Sequence, residues 1–467
     1  GHIYLSWGRY SVADHLNVIQ CRKCFSFGHH EKDCRSTNPV CDRNGRHQHE
    51  NGGGSLNSSE DESYILDNAS VASNFSDTTA EDPDDAAALA DDQLEEKLSE
   101  LIDGMAQKSS QGRVNCQEQL VKAFVKKYMP MFIKERYFTI CDNIERSLKK
   151  GGGAEKAAAA ELATVICVQL GNDDSTEEIY KLLKPVLLTM MCDTSVAANI
   201  RAKCCTALSN MTFLSGCEIG DVILLMHQLE SIFSASYLKG DGGVPNITVE
   251  TAVLHAAAIS AWNLLLTLVN PADIDAVINN EAKRMSLDKL SELLESIHLE
   301  VRMSAGEALA LIFELGRNYD EAFEEDFAMD ISETLKQLAT DSHKYRAKKD
   351  RKQQRATFRD ILQFIENDTV PEIQVKFGKE VLVLDTWTRR KQYEILCNIL
   401  GPSINIHLTE NELLRDIFEI VGPPPTTDIP TYAQSQQERS RKRALNAANN
   451  KARTISRGKN RDKRSDF

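Results

Sequence analysis

Four residues near the N-terminus have the types and spacing of a metal site. Cys21, Cys24, His29 and Cys34 read Cys-x2-Cys-x4-His-x4-Cys. Thiolate and imidazole ligands close a tetrahedral shell around Zn2+, and Gly28 permits the tight turn before the histidine. Phe25 and Phe27 stand where aromatic rings can stack on unpaired bases. The motif therefore predicts a zinc knuckle that contacts nucleic acid. A second run starts at Cys41 but does not close, because Asn44 stands where the next cysteine belongs and His47 and His49 lack a closing Cys.

The next chemistry is electrostatic. Lys344, Arg346, Lys348, Lys349, Arg351, Lys352, Arg355 and Arg359 fall within sixteen residues and are opposed there only by Asp350. Such a run suits an anionic partner, with affinity that falls as salt rises. Arg441, Lys442 and Arg443 form a second basic cluster, and Arg461 to Arg464 a third, suited to nuclear targeting or to nucleic acid.

Covalent catalysis finds no comparable constellation. His255, His343 and His407 stand alone in sequence, and such histidines are more often packed or solvated than catalytic. Glu295 and His298 make half of a di-iron helix motif, with no second half apparent. The glycine runs at 52–54 and 151–153 follow no strand, so neither reads as a phosphate loop. The expectation is a non-enzymatic protein with no small-molecule substrate.

The elements that must carry these residues are helical. The chain has 467 residues and a net charge of −14, unevenly spread. Glu60 to Glu96 holds thirteen acids and no Lys or Arg, whereas Ser435 to Phe467 holds eleven Lys/Arg against three acids. Both blocks read as solvated segments. A charge this negative argues against a protein that coats nucleic acid with its whole surface. The first residue is Gly rather than Met, so the expectation is a true start further upstream. Ala252 to Val269 is apolar but interrupted by His255, Ser260, Asn263 and Thr267, and it reads as a buried core helix, leaving no expected membrane span. The cysteines from Cys116 to Cys397 read as reduced thiols, mostly buried.

The pattern divides the chain into a leader at 1–51 with the knuckle and two short strands, an acidic linker at 52–88, helical repeats at 89–365, a small α+β segment at 366–425 and a basic tail at 426–467. Within the repeats, ATVICVQL, ALSNMTFL, AWNLLLTL and ALALIFEL start at Ala163, Ala207, Ala261 and Ala308, spaced 44, 54 and 47 apart. Armadillo and HEAT arrays repeat every 40–47 residues or so. YLKGDGGVPNITVE reads as an insertion in the longest spacing. In the unit from Ser291, Ala305, Ala308, Leu309, Ile312 and Phe313 form one apolar stripe, and the small Ala305 and Gly306 admit a close neighbouring helix. The fold class is thus mostly α, an armadillo/HEAT-like solenoid with a small C-terminal α+β cap that leaves the basic helix at the end of the stack. In the cap, EIQVKF and EVLVLD make a hairpin through Gly378 and Lys379. A helix follows from Trp387 to Leu400, then an extended INIHL, then a helix from Glu410 to Ile420.

Two resemblances add to this reading. The leader resembles the end of a retroelement gag-like open reading frame over about the first fifty residues. At AELATVICVQLG, ATDSHKYRAKKDRKQQRATFRDIL, VKFGKEVLVLDTWTRRKQYEILCNILG and KARTISRGKNRDKRSD, the chain resembles the interferon-related developmental regulator family, over about residues 60–467. That resemblance implies an armadillo-like fold and non-enzymatic roles. These are transcriptional co-regulation during differentiation and, for some members, ribosome association that suppresses translation. Protein partners on the solenoid, RNA of the ribosome or chromatin on the basic segments, and residence in nucleus and cytoplasm are the corresponding expectations. The zinc-knuckle leader departs from the family pattern.

Overall fold

The computed structural model describes residues 2–5, 8–11, 83–278, 286–340 and 347–421. They fall in two compact units, Gly1–Glu81 and Asp82–Phe467. In the first, β1 (His2–Leu5) and β2 (Gly8–Ser11) pair antiparallel with His2 opposite Ser11, as the alternating pattern predicts.

The second unit is a two-layered helical stack. Its helices alternate between an outer row and an inner row: α1 (Pro83–Gly104) with α2 (Ser110–Lys126), α3 (Pro130–Lys150) with α4 (Gly153–Leu170), α5 (Asp174–Cys192) with α6 (Ala198–Ser215), and α7 (Ile219–Phe233) with α8 (Val249–Leu266). The short α9 (Ile274–Ile278) precedes α10 (Leu287–Glu292) with α11 (Leu299–Arg317), and α12 (Glu325–Thr340) with α13 (Lys348–Asn367). Each inner helix packs on the next, α2 on α4 and onward through α6, α8, α11 and α13. This ladder of like neighbours is what defines a solenoid.

Local chemistry sets the breaks. Pro130 takes the first turn of α3, where its missing N–H costs nothing. Ser109, Asp173 and Thr248 cap α2, α5 and α8 through their side chains. Gly171 ends α4 at φ +69°, and a Cβ there would also meet Leu413 at 3.3 Å. The four Ala-to-Leu segments occupy equivalent places on α4, α6, α8 and α11, so the sequence repeat is the inner row. Ala163, Ala207, Ala261 and Ala308 are all buried.

The two rows differ in patterning because they differ in how many sides are covered. Outer α12 buries Ala328, Ile331, Ser332, Leu335 and Ala339, a single stripe at helical spacing. Inner α4 buries every residue from Leu162 to Leu170. The second cover comes from the C-terminal part of the same unit. There, β3 (Ile373–Phe377) and β4 (Glu380–Leu384) form the expected two-residue hairpin, followed by α14 (Trp387–Leu400), α15 (Ile404–Glu410) and α16 (Glu412–Ile417). One expectation is corrected: INIHL is not extended but opens α15, burying Ile404, His407 and Leu408 at helical spacing. The following helix is shorter than expected, Glu412–Ile417.

Helix α14 touches α2, α4, α8 and α11. Fourteen residues rise about 21 Å, whereas the four interhelical steps from α2 to α11 would span roughly 32–40 Å in a straight row. The inner row must therefore curl around α14, which lies in its hollow. The apolar run at Val249–Leu266 is, by length and composition, long enough to cross a membrane, but here it is the buried inner helix α8.

Candidate functional sites: a basic helix face and a buried charged junction

Of the sequence-predicted site residues, Cys21, Cys24, Phe25, Phe27, His29, Cys34, Lys344, Arg346, Arg441, Lys442 and Arg443 lie outside the described residues. The remaining six share α13. Lys348, Lys349, Lys352 and Arg359 are exposed, and Arg351 and Arg355 are half-buried. Lys348, Lys352, Arg355 and Arg359 are spaced four, three and four apart, which aligns them on one face of the helix. Arg355 Nε donates to Arg351 O at 3.3 Å.

The other face of α13 is fixed to the stack. Gln354, Thr357, Phe358, Ile361, Phe364 and Ile365 are buried. A Cβ on Gly306 would meet Phe358 at 2.8 Å and Ile361 at 2.9 Å, so the glycine on α11 is what admits α13 this closely. Arg302 Nη2 donates to Gln354 Oε1 at 2.7 Å, and at the far end Arg317 donates to the carbonyls of Phe364 (3.1 Å) and Ile365 (2.8 Å). Phe364 O also accepts from the C-cap Asp368 N at 2.8 Å, and Ile365 O lies in the last turn of α13, whose acceptors lack intrahelical partners. The cationic face is thus held on a rigid element.

A second charged centre was not anticipated. Lys391 of α14 is buried, and its Nζ donates to Ser260 Oγ at 2.9 Å, Glu307 Oε2 at 3.0 Å and Glu394 Oε2 at 3.0 Å. These partners come from α8, α11 and α14, so one ammonium ties three helices together. The two carboxylates hold Lys391 charged, outweighing the desolvation that would lower its pKa. Burial, and then Glu307 beside it, push the Glu394 carboxyl up to about 7 against the pull of Lys391.

Glu314, seven residues after Glu307 on α11, caps α14. It accepts from Trp387 N at 2.5 Å, from Thr388 N at 2.8 Å and from Thr388 Oγ1 at 2.7 Å. A carboxylate there complements the partial positive charge of the helix start. Burial raises its pKa, and the hydrogen bonds from Thr388 and Trp387 limit the rise. Arg390 pairs with Asp360 of α13 at 3.2 Å and lies 4.6 Å over the Trp387 ring.

Further along, the C-terminal segment supplies partners to the ends of inner helices. His407 Nε2 lies 2.8 Å from Val125 O in the last turn of α2, and Asn411 Nδ2 donates to Val168 O in the last turn of α4 at 2.8 Å. Arg415 holds Glu380 through two bonds of 2.8 and 2.9 Å, joining α16 to β4. The signal for this junction was present in the sequence: Glu307 and Glu314 stand two turns apart in the otherwise apolar run Ala305–Leu315 of α11.

The histidines thus have packing roles. His255 Nδ1 lies 2.6 Å from Ser236 Oγ, and His298 Nε2 lies 3.2 Å from Ile247 O. His343 lies outside the described residues. Among the described residues, no three of His, Cys, Asp and Glu converge as metal ligands. The eight described cysteines are free thiols, with Cys141, Cys167, Cys204 and Cys205 buried.

A profile of the interferon-related developmental regulator family matches residues 68–366, and one of the interferon-related protein conserved region matches residues 411–465. The chain belongs to the interferon-related developmental regulator family. It is 38% identical to interferon-related developmental regulator 1 of Sus scrofa over 411 residues, covering 87% of this chain and 90% of the relative. Interferon-related developmental regulator 2 of Mus musculus is 37% identical over 374 residues, covering 80% and 83%. An uncharacterized protein of Schizosaccharomyces pombe is 27% identical over 338 residues, covering 61% and 74%. Among solved structures, an engineered protein covers 56% of this chain and 98% of its own at 17% identity, with a TM-score of 0.39. The solenoid assignment rests on the helix pairing and not on that likeness. In this family member the first profile takes in the stack through α13 and the second begins at Asn411, in the hollow.

Proposed function

We propose that this chain is a non-enzymatic scaffold in the control of gene expression, in which the outward face of α13 docks on a polyanionic nucleic-acid partner. The observation that carries the reading is the two-sidedness of α13. One face is locked into the stack by Phe358, Ile361 and the Arg302–Gln354 bond, and the other presents Lys348, Lys349, Lys352 and Arg359 to solvent. Cations on a pre-ordered helix lose little further entropy on meeting phosphates. Membership of a family of developmental regulators fits such a role. Ribosomal RNA and chromatin both supply the polyanion, and the basic cluster at Arg441, Lys442 and Arg443 would add to it.

Protein partners would use the outer row, since the inner row already holds α14 to α16. Phe138 on α3, Leu224 on α7 and Met329 on α12 expose large apolar side chains there. The N-terminal Cys21–Cys34 motif, if loaded with Zn2+, would add a second nucleic-acid contact independent of the solenoid. The test is co-sedimentation of the full chain with ribosomes at rising salt, beside capture on chromatin. Replacing Lys348, Lys349, Lys352 and Arg359 by Gln should abolish retention at moderate salt on whichever of the two is the partner. Unchanged retention on both would contradict the reading.

A further inference from the structure

A cavity of about 470 Å3 opens where the loop joining α5 to α6 meets α7 and the first turns of α8. This is within the range of small-ligand sites, roughly 300–1,000 Å3. Thr194 and Arg201 line it from one side, Gln228 and Ser231 from α7, and Thr251 and His255 from α8. No Asp or Glu lines it.

Arg201 sets the character of this space. Its Nε donates to Met191 O at 2.9 Å, which fixes the plane of the guanidinium. Among the described residues no carboxylate lies within ion-pair distance of it. Asp193, the acid of the adjoining loop, accepts from Ser195 N at 2.8 Å and does not line the cavity. His255 does not add a second charge. Burial first, then Arg201 and His298, push its pKa down to about 4, leaving the imidazole neutral at pH 7. The cavity thus combines the Arg201 guanidinium, with Asp193 its nearby but unbonded acid, with an amide, three hydroxyls and a neutral imidazole, of which Ser231 Oγ already donates to Gln228 O at 2.7 Å. Ile232 and Leu254 give it apolar walls.

We infer that this cavity binds an oxyanion carried on a small organic body. A phosphate or carboxylate group would sit on the Nη edge of Arg201, with Thr194 and Gln228 as further donors and the organic portion against Ile232 and Leu254. Guanidinium recognises both oxyanions through paired N–H bonds, and the geometry here is fixed before the ligand arrives.

The experiment is calorimetric titration of the full chain with phenyl phosphate and, separately, benzoate, at constant ionic strength set with chloride. Saturable binding of either is expected, and the tighter of the two identifies the source of the oxyanion. Arg201→Gln should weaken it about tenfold or more, the scale of one charge-assisted hydrogen bond. Because Arg201 also ties down Met191 O, a second variant keeps it in place. Ser231→Glu puts a carboxylate at an exposed position facing the same space and should abolish binding while holding or raising the melting temperature. Absence of saturable binding to the unaltered chain, or binding by both variants as tight as that of the unaltered chain, would overturn the assignment.

Discussion

Two neighbouring helices of this molecule, α13 and α14, are both rich in cations, and they use them in opposite ways. On α14, Lys391 is enclosed by Glu307, Glu394 and Ser260, and Arg390 is paired with Asp360 and stacked on Trp387. On α13, Lys348, Lys349, Lys352 and Arg359 face solvent. Residue type does not separate the two sets. What separates them is burial: the α14 cations are enclosed by groups from distant parts of the chain, whereas these α13 side chains are exposed. A buried cation with two carboxylates is a fastener, and an exposed cationic face is an offer to an outside anion.

Breaking the fastener should have the largest effect. Lys391→Met leaves Glu307 and Glu394 in the hollow without their cation, and removing one partner of a buried pair costs about 3–5 kcal/mol. Denaturant unfolding should show that loss. Hydrogen exchange should place it in α14 and the inner row around it. A triple change of Lys391→Met, Glu307→Gln and Glu394→Gln should recover much of it, because no isolated charge then remains buried.

The second prediction concerns the cap on α14. Glu314→Ala removes an acceptor used by Trp387 and Thr388, at a cost of about 1–2 kcal/mol typical of a lost helix cap. Melting of the variant should shift accordingly, while Glu314→Gln, which keeps an acceptor, should shift less.

A third, smaller effect is in the pH profile. Glu394 titrates at about 7 in the fold, above the ordinary carboxylate range, so the folded state holds a proton there that the unfolded state has released. Its contribution is present in full below the unfolded pKa and is lost as pH rises through about 7. His255 and His407 are depressed by burial and bias stability the other way in the acid range. The informative quantity is therefore the difference between the unaltered chain and Glu394→Gln. That difference should change in favour of the variant as pH goes from about 4.5 to above 7. A difference constant with pH would remove Glu394 from the account.

How much of this was legible beforehand depends on distance along the chain. The Ala-to-Leu segments from Ala163 to Ala308 announced the inner row, because each helix meets the same neighbours and so repeats the same pattern. The β3–β4 hairpin was legible from two alternating runs with Gly378 between them. Gly306 was legible as a point of close approach, although its partner helix α13 was identified only in three dimensions. The placement of α14 to α16 was not legible. Lys391 and Glu307 are 84 residues apart, and His407 reaches Val125 across 282. No local period encodes contacts of that range. INIHL misled for a different reason, since five residues with apolar positions at Ile404, Ile406 and Leu408 satisfy a strand period and, through Ile404 and Leu408, a helix period. The unexplained polar residues were the usable clue: Glu307 and Glu314 interrupt the apolar run Ala305–Leu315, and both bond to α14.

The offered face should be the least sensitive part of the fold. Gln at Lys348, Lys349, Lys352 and Arg359 should leave stability within about 0.5 kcal/mol, as surface changes usually do. Its effect should be on binding, and the dependence of RNA affinity on salt measures it most directly. For single-stranded RNA, each phosphate neutralised adds about −0.7 to the slope of log K against log salt. The division of labour between α13 and α14 predicts that the four-residue variant keeps its melting temperature while its slope becomes shallower by about 3. An unchanged slope, or a collapse of the fold on making the variant, would contradict it.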